Sequence, residues 1–189
     1  MNIAGVVLCG GKSERYQKQK IFETYKGSPF YSYSAAALQQ GGIRDVYLQT
    51  NRTMAAALSS AGFPLLLEEK EHEGPLYALA AAMRQLNNKD WIFLLPADVP
   101  YVRSCFVSSV LEYVWNAAET ADAWIPSERD QLHPLHGLYH TGCLPVMEEL
   151  LHQNKKSMHP LLKKVHTAFI PYSIDQRDFI NINRQEDWL

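Results

Sequence analysis

Apolar and polar positions along this chain switch repeatedly between a short, strand-like run and a helical period. Ile3–Leu8 is a continuous apolar run, the pattern of a strand buried on both faces. Pro29–Gln40 follows a helical period and is stopped by Gly41-Gly42. Asp45–Thr50 predicts a second strand, Thr53–Ser60 a short helix ended by Gly62, and Pro64–Leu67 a third strand. Pro75–Leu86 predicts a helix with Ala78, Ala82 and Leu86 on one face. Trp91–Leu95 predicts a strongly apolar strand that runs into Pro96-Ala97-Asp98. Cys105–Glu119 is amphipathic and Ala123–Pro126 is strand-like. The last third is less regular. It predicts a strand over His133–His140, a helix over Cys143–His152, and a helix capped by Ser157 with the stripe Met158, Leu161, Leu162 and Val165. A strand over Thr167–Pro171 follows, and then a terminal turn after Phe179–Asn183. Repeated β-α units of this length predict a three-layer, Rossmann-like α/β fold, with a mostly parallel sheet and helices on both faces.

Composition narrows the class without naming a function. With 189 residues, 47% of them hydrophobic and 20% charged, the chain is read as one domain, residues 1–189, with an ordinary core. A net charge of −2 supplies no general attraction to nucleic acid or to an anionic membrane. Cys9, Cys105 and Cys143 are odd in number and widely spaced, so neither a disulfide framework nor a zinc pattern is expected. No basic segment leads into a long apolar one. The expectation is a cytoplasmic protein with no membrane span.

The densest chemistry lies just after the first strand. Leu8-Cys9-Gly10-Gly11 opens a loop in which Lys12, Arg15, Lys18 and Lys20 follow. Paired glycines let a backbone approach a ligand closely, and backbone N–H groups with nearby cations suit a polyphosphate. Two familiar phosphate loops fail on spacing. Gly11-Lys12-Ser13 could close a G-x-x-x-x-G-K-[ST] loop, but its first glycine would have to be Val6. The G-x-G-x-x-G fingerprint fails too, because no glycine follows Gly11 until Gly27, and this disfavours a nicotinamide dehydrogenase. Cys9 is expected to be a small residue in a tight turn rather than a nucleophile, since no histidine accompanies it nearby.

Further candidates sit where later strands end. Ligands of open α/β sheets bind outside the carboxyl ends of the strands, and Asp98 follows such an end. Alone, Asp98 would be read as a helix cap; beside a polyphosphate loop it is a natural Mg²⁺ ligand. Asn51 follows the second strand, where an amide can meet the mixed edge of a base or can equally cap the next helix. His133, His136 and His140 have a spacing that could form a zinc face on a helix, but Pro134 and Gly137 argue against a helix there. Lys155, Lys156, Lys163 and Lys164 are read as a solvated face.

The run Leu8-x-Gly10-Gly11-x-Ser13-x-Arg15 with Lys20 resembles the signature loop of sugar-nucleotide-type pyrophosphorylases. It is more narrowly similar to that of the molybdenum cofactor guanylyltransferases. The chain departs from that family at Tyr16 and at Gln17, where the family carries methionine and glycine. Thr50-Asn51-Arg52, Gly74-Pro75-Leu76, Ala97-Asp98-Val99-Pro100 and Asn181-Ile182-Asn183 with Glu186-Asp187 extend the likeness over nearly the whole chain. Ala78 stands where the family has a further glycine, and Glu68 or Glu69 replaces its aspartate.

The resemblance implies transfer of GMP from GTP to the phosphate of molybdopterin, with release of pyrophosphate. It implies Leu8, Cys9, Gly10, Gly11, Ser13 and Lys20 at the nucleotide phosphates, with Arg15, Lys20 and Asp98 catalytic and Mg²⁺ on Asp98. It also implies Asn51 on the base side, Glu68 or Glu69 among the binding residues, and Asn181 and Asn183 on the acceptor side. Residues 1–100 would form the nucleotide half and residues 101–189 the pterin half. GTP and molybdopterin, or its molybdenum form, are the expected partners, with cofactor-delivery proteins or molybdoenzymes downstream and no nucleic acid. Two alternatives stay open: a related nucleotidyltransferase using another nucleotide or acceptor, such as CTP or a sugar phosphate, and a non-catalytic carrier of the cofactor, suggested by Gln17, Ala78 and the absent aspartate.

Overall fold

The computed structural model of the chain describes residues 1–10, 20–129, 131–172 and 176–182, apart from the side chain of Gln176. In chain order the strands are β1 (Ile3–Leu8), the short β2 (Thr24–Tyr25) and β3 (Ser28–Pro29), β4 (Asp45–Thr50), β5 (Leu65–Leu67), β6 (Trp91–Pro96), β7 (Ala123–Glu128), β8 (Gln131–Leu132), β9 (Leu138–His140) and β10 (Thr167–Pro171). The α-helices are α1 (Phe30–Gln40), α2 (Arg52–Leu58), α3 (Pro75–Gln85), α4 (Ser104–Asn116), α5 (Leu144–His152) and α6 (His159–Leu162). Short 3₁₀ turns occupy Lys20–Phe22, Pro134–His136, Thr141–Cys143 and Gln176–Phe179.

The eight-stranded sheet runs β10-β7-β9-β6-β1-β4-β5, with β8 beside β7, while β2 and β3 form a separate hairpin. β1 is the centre. It pairs in parallel with β4, Val6 opposite Tyr47, and with β6, Val6 opposite Leu94. Such strands are buried on both faces, and this explains why IAGVVL and WIFLLP read as unbroken apolar runs. Their side chains still alternate. Val7, Leu48, Phe93 and Leu95 face α1, α2 and α4, whereas Ala4, Val6, Ile92 and Leu94 face α3, α5 and α6. Each fully buried Leu or Phe contributes roughly 1.5–3 kcal/mol. These two cores make the three-layer architecture that the β-α repeat predicts.

The end of α1 shows why two glycines are needed there. A Cβ on Gly41 would lie 2.5 Å from the Val107 Cβ of α4, so the two helices approach over a bare backbone. Gly42 has φ 108, a left-handed conformation that ends the helix, and the Ile43 N–H then closes onto the Leu38 carbonyl at 3.0 Å.

Two expectations need correction. The predicted strand over His133–His140 is a 3₁₀ turn followed by the three-residue β9. Pro134 has no N–H to give a ladder, and it starts the turn instead. β9 is also antiparallel to both β6 and β7. The link from β7 through β8 is a hairpin return, too short for the helical crossover that a parallel neighbour requires. Ser157 is not the cap of α6. Met158 precedes that helix, which is only four residues long and makes no side-chain cap bond. β10, by contrast, has the predicted bounds. No helix among the described residues is long and apolar enough to cross a membrane.

Candidate functional site

Parallel strands all point their carboxyl ends one way, so β1, β4, β5 and β6 deliver their following residues to one edge. Backbone hydrogen bonds continue past the strands and lock these residues together. The Cys9 N–H donates to the Gln49 carbonyl at 2.8 Å, Ala97 N–H to Leu8 at 3.1 Å, and Glu68 N–H to Thr50 at 2.8 Å. Leu8, Cys9, Gly10, Asn51, Glu68 and Asp98 therefore line one rim. Gly11, Ser13, Arg15 and Asn183, expected at the same place, lie outside the described residues, as do Tyr16 and Gln17.

Lys20 opens the first 3₁₀ turn and is buried despite its charge. Its Nζ lies 2.6 Å from Asp98 Oδ2 and 3.1 Å from Asn181 Oδ1. The Ile182 N–H donates to the Asp98 carbonyl at 3.0 Å, tying the C-terminal segment to the end of β6. Three of the expected residues, far apart in sequence, thus form one cluster. A cation between a carboxylate and an amide oxygen, at the mouth of a parallel sheet, is a site for anionic oxygens.

Glu68 and Glu69 part company. Glu69 is exposed, while Glu68 is 5% exposed and leans over Gly10. A Cβ on Gly10 would meet Glu68 Oε1 at 2.9 Å, so glycine is required for that carboxyl to lie where it does. Burial pushes the Glu68 carboxyl up to about 7; the Gln49 side chain opposes the rise and Glu71 adds to it. Gln49 nevertheless lacks good bonding geometry, and both of its amide atoms, like the Thr50 hydroxyl, are buried without a hydrogen-bond partner. The strand pattern DVYLQT contains the signal for these residues, because a Gln-Thr pair at the end of an apolar strand is costly unless something uses it.

Asn51 is the N-cap of α2, its Oδ1 accepting from the Met54 N–H at 2.9 Å. Its carbonyl is committed to the helix, so contact with a base would fall to the amide nitrogen. Cys9 contributes backbone only. Its thiol is fully buried in the core beneath the sheet edge, and burial, reinforced by Asp98 and Glu68, pushes its pKa far up.

The histidines divide. The rings of His133 and His136 lie 6.0 Å apart, whereas His140 packs on Trp91. Burial holds His136 down at about 3 and lowers His133, so both are neutral. Of the four lysines read as a solvated face, Lys156 pairs with Glu73 at 2.8 Å and Lys164 with Glu149 at 2.6 Å. Sequence reading missed a third group. Asp178 and Tyr172 are buried beside the site and are closed over by the partly exposed Arg103, whose Nη2 lies 2.7 Å from Asp178 Oδ2.

Residues 5–168 match the family described as the MobA-like NTP transferase domain. The chain is 27% identical over 192 residues to a probable molybdenum cofactor guanylyltransferase of Geobacillus sp., covering 98% of this chain and 96% of that one. It is 25% identical over 189 residues to a molybdenum cofactor guanylyltransferase of Serratia proteamaculans, covering 99% and 92%. Among solved structures it is similar to molybdopterin-guanine dinucleotide biosynthesis protein A of Archaeoglobus fulgidus, with a TM-score of 0.80 at 19% identity, covering 97% and 94%. That likeness concerns the fold.

Proposed function

Because this chain belongs to the MobA-like NTP transferase family, we propose that it transfers GMP from GTP to the phosphate of molybdopterin, forming a guanine dinucleotide cofactor. The observation that carries the reading is the Lys20–Asp98–Asn181 cluster at the carboxyl edge of the sheet. In the proposed reaction an oxygen of the acceptor's phosphate monoester attacks the α-phosphorus of GTP. The bond from that phosphorus to the bridging oxygen breaks, and pyrophosphate leaves with the electron pair. The acceptor is already an anion at neutral pH, since its second pKa is about 6, and no general base is needed. Positioning and charge neutralisation are what remain for the protein to supply.

In this reading Lys20 and Arg15 neutralise the α-phosphate and the departing pyrophosphate, while the backbone of Gly10 and Gly11 cradles the phosphates. Asn51 and Glu68 face the base; Asn181 and Asn183 serve the acceptor, whose pterin lies against residues 101–189. Asp98 offers a single carboxylate, and among the described residues no group of three or more His, Cys, Asp or Glu side chains could hold a metal ion. That donor set suits Mg²⁺, which takes one or two carboxylates with phosphate oxygens and water. Held by Asp98 and the nucleotide, Mg²⁺ would supply further charge neutralisation. The free thiols of Cys9, Cys105 and Cys143 fit a reducing cytoplasm.

The test is pyrophosphate release with Mg²⁺ and molybdopterin, run in parallel with GTP, CTP and ATP. Release with GTP alone is expected. Release with CTP instead would change the substrate and keep the mechanism, and tight molybdopterin binding without release from any nucleotide would replace the enzyme with a carrier.

A further inference from the structure

Asp178 is fully buried, although it lies in a turn of only four residues, Gln176–Phe179. Four donors converge on its carboxylate. Oδ1 accepts from the Arg103 N–H at 2.9 Å and from Arg103 Nε at 3.1 Å; Oδ2 accepts from Arg103 Nη2 at 2.7 Å and from the Tyr172 hydroxyl at 2.6 Å. A carboxylate so filled has no lone pair to spare for a ligand. The next residue is held as firmly. Phe179 stacks on His133 with centroids 3.7 Å apart, and meets His136, Tyr172 and Phe106 edge-on at 5.1, 5.3 and 5.4 Å. Within three residues of this double anchor the chain reaches the site. Asn181 Oδ1 contacts Lys20, and the Ile182 N–H holds the Asp98 carbonyl.

We propose that Asp178 is a positioning residue: its ion pair with Arg103 turns residues 176–182 into a strap that presents Asn181 to Lys20 and so aims the lysine beside Asp98. A lysine side chain has four rotatable bonds and one point charge, and the Asn181 acceptor adds a directional restraint to the ion pair with Asp98. The inference rests on the proposed role of Lys20 at the phosphates, but the strap itself is observable without turnover.

The first experiment compares Asp178→Asn with Asn181→Ala by ¹⁵N NMR of the side-chain ammonium groups, with Lys20→Arg assigning the signal. Asp178→Asn is expected to move the Lys20 resonance toward its place in Asn181→Ala and to speed hydrogen exchange at the Ile182 amide. An unmoved resonance with an unchanged Ile182 amide would overturn the strap, whatever the substrate. The second arm is kinetic. Asp178→Asn is expected to lower kcat about 10- to 100-fold, as small misplacements do, while KM for GTP stays within about threefold. The double variant Asp178→Asn/Asn181→Ala is expected to fall no further than about twofold below the worse single one; additive losses would show that Asp178 acts independently of Asn181 and overturn the proposal. Should the Asn variant fail to fold, Tyr172→Phe removes one donor, keeps the ion pair, and is expected to shift the same signals to a smaller extent. If the wild-type protein releases no pyrophosphate from GTP, the functional reading falls, and the NMR arm still decides the strap.

Discussion

Asp98 and Asp178 each face a cation at short range, yet they are built for opposite ends. Asp98 pairs with a lysine, a compact charge on a flexible stem, and both side chains keep some solvent access, 18% and 11%. Asp178 pairs with the planar fork of Arg103, takes two further donors, and keeps no exposure at all. In the proposed function the first pair exchanges partners when the nucleotide arrives. The second is costly to open, because losing Arg103 strands the buried Asp178 charge in the interior. A site proposed to handle a polyphosphate needs both kinds: charges that answer to the ligand, and a frame that does not.

The sharpest way to break this contrast is to remove the exchangeable pair. Lys20→Met and Asp98→Asn are each expected to lower kcat by about 10²–10³-fold, the loss seen when one preorganised charge-stabilising contact goes. Thermal midpoints should stay within about 4 °C of wild type, the shift that roughly 1 kcal/mol gives in a domain of this size. A large fall in midpoint with unchanged kcat would make the Lys20–Asp98 pair structural and erase the difference from Asp178.

Glu68 sharpens the comparison as a third carboxylate, buried with no cation paired to it among the described residues. Its folded pKa of about 7 lies above the ordinary value of 4.5 because burial disfavours the charged form. The native state therefore binds more protons than the unfolded one between these values, and stability falls as pH rises through that window. The whole shift corresponds to about 3 kcal/mol. Urea denaturation of wild type and Glu68→Gln from pH 4.5 to 7 checks this: the wild type should lose stability relative to the variant as pH rises. A parallel pair of curves would refute the raised pKa.

The smallest effect separates two uses of one amide. Asn51→Ala removes the cap of α2 and is expected to cost about 1 kcal/mol, read from the thermal midpoint. Asn51→Asp keeps the cap and should keep the stability, while losing the amide donor proposed for the base. If Asn51→Asp binds GTP as the wild type does, the residue is a cap and nothing more.

Most of the rim was legible in the chain because it is local. A strand of apolar residues, then Gly10, or Asn51, or Asp98, is a pattern that a few consecutive residues specify, since the side chains that use it follow directly from where the strand stops. The β-α alternation, the two-faced burial of β1 and β6, and the bounds of β10 were set in the same way by short-range periodicity. Nonlocal closure decided the rest. Whether Glu68 or Glu69 faces inward depends on where β5 meets β4, and a shift of one residue would exchange them. The direction of β9 depends on which strands leave a gap beside β6, and the burial of Asp178 depends on an arginine 75 positions away. An aspartate in a turn looks solvated in any window of sequence. Only the packed fold brings it the donors that make its burial tolerable, because the cost of desolvating a charge is settled by neighbours the local chain does not contain.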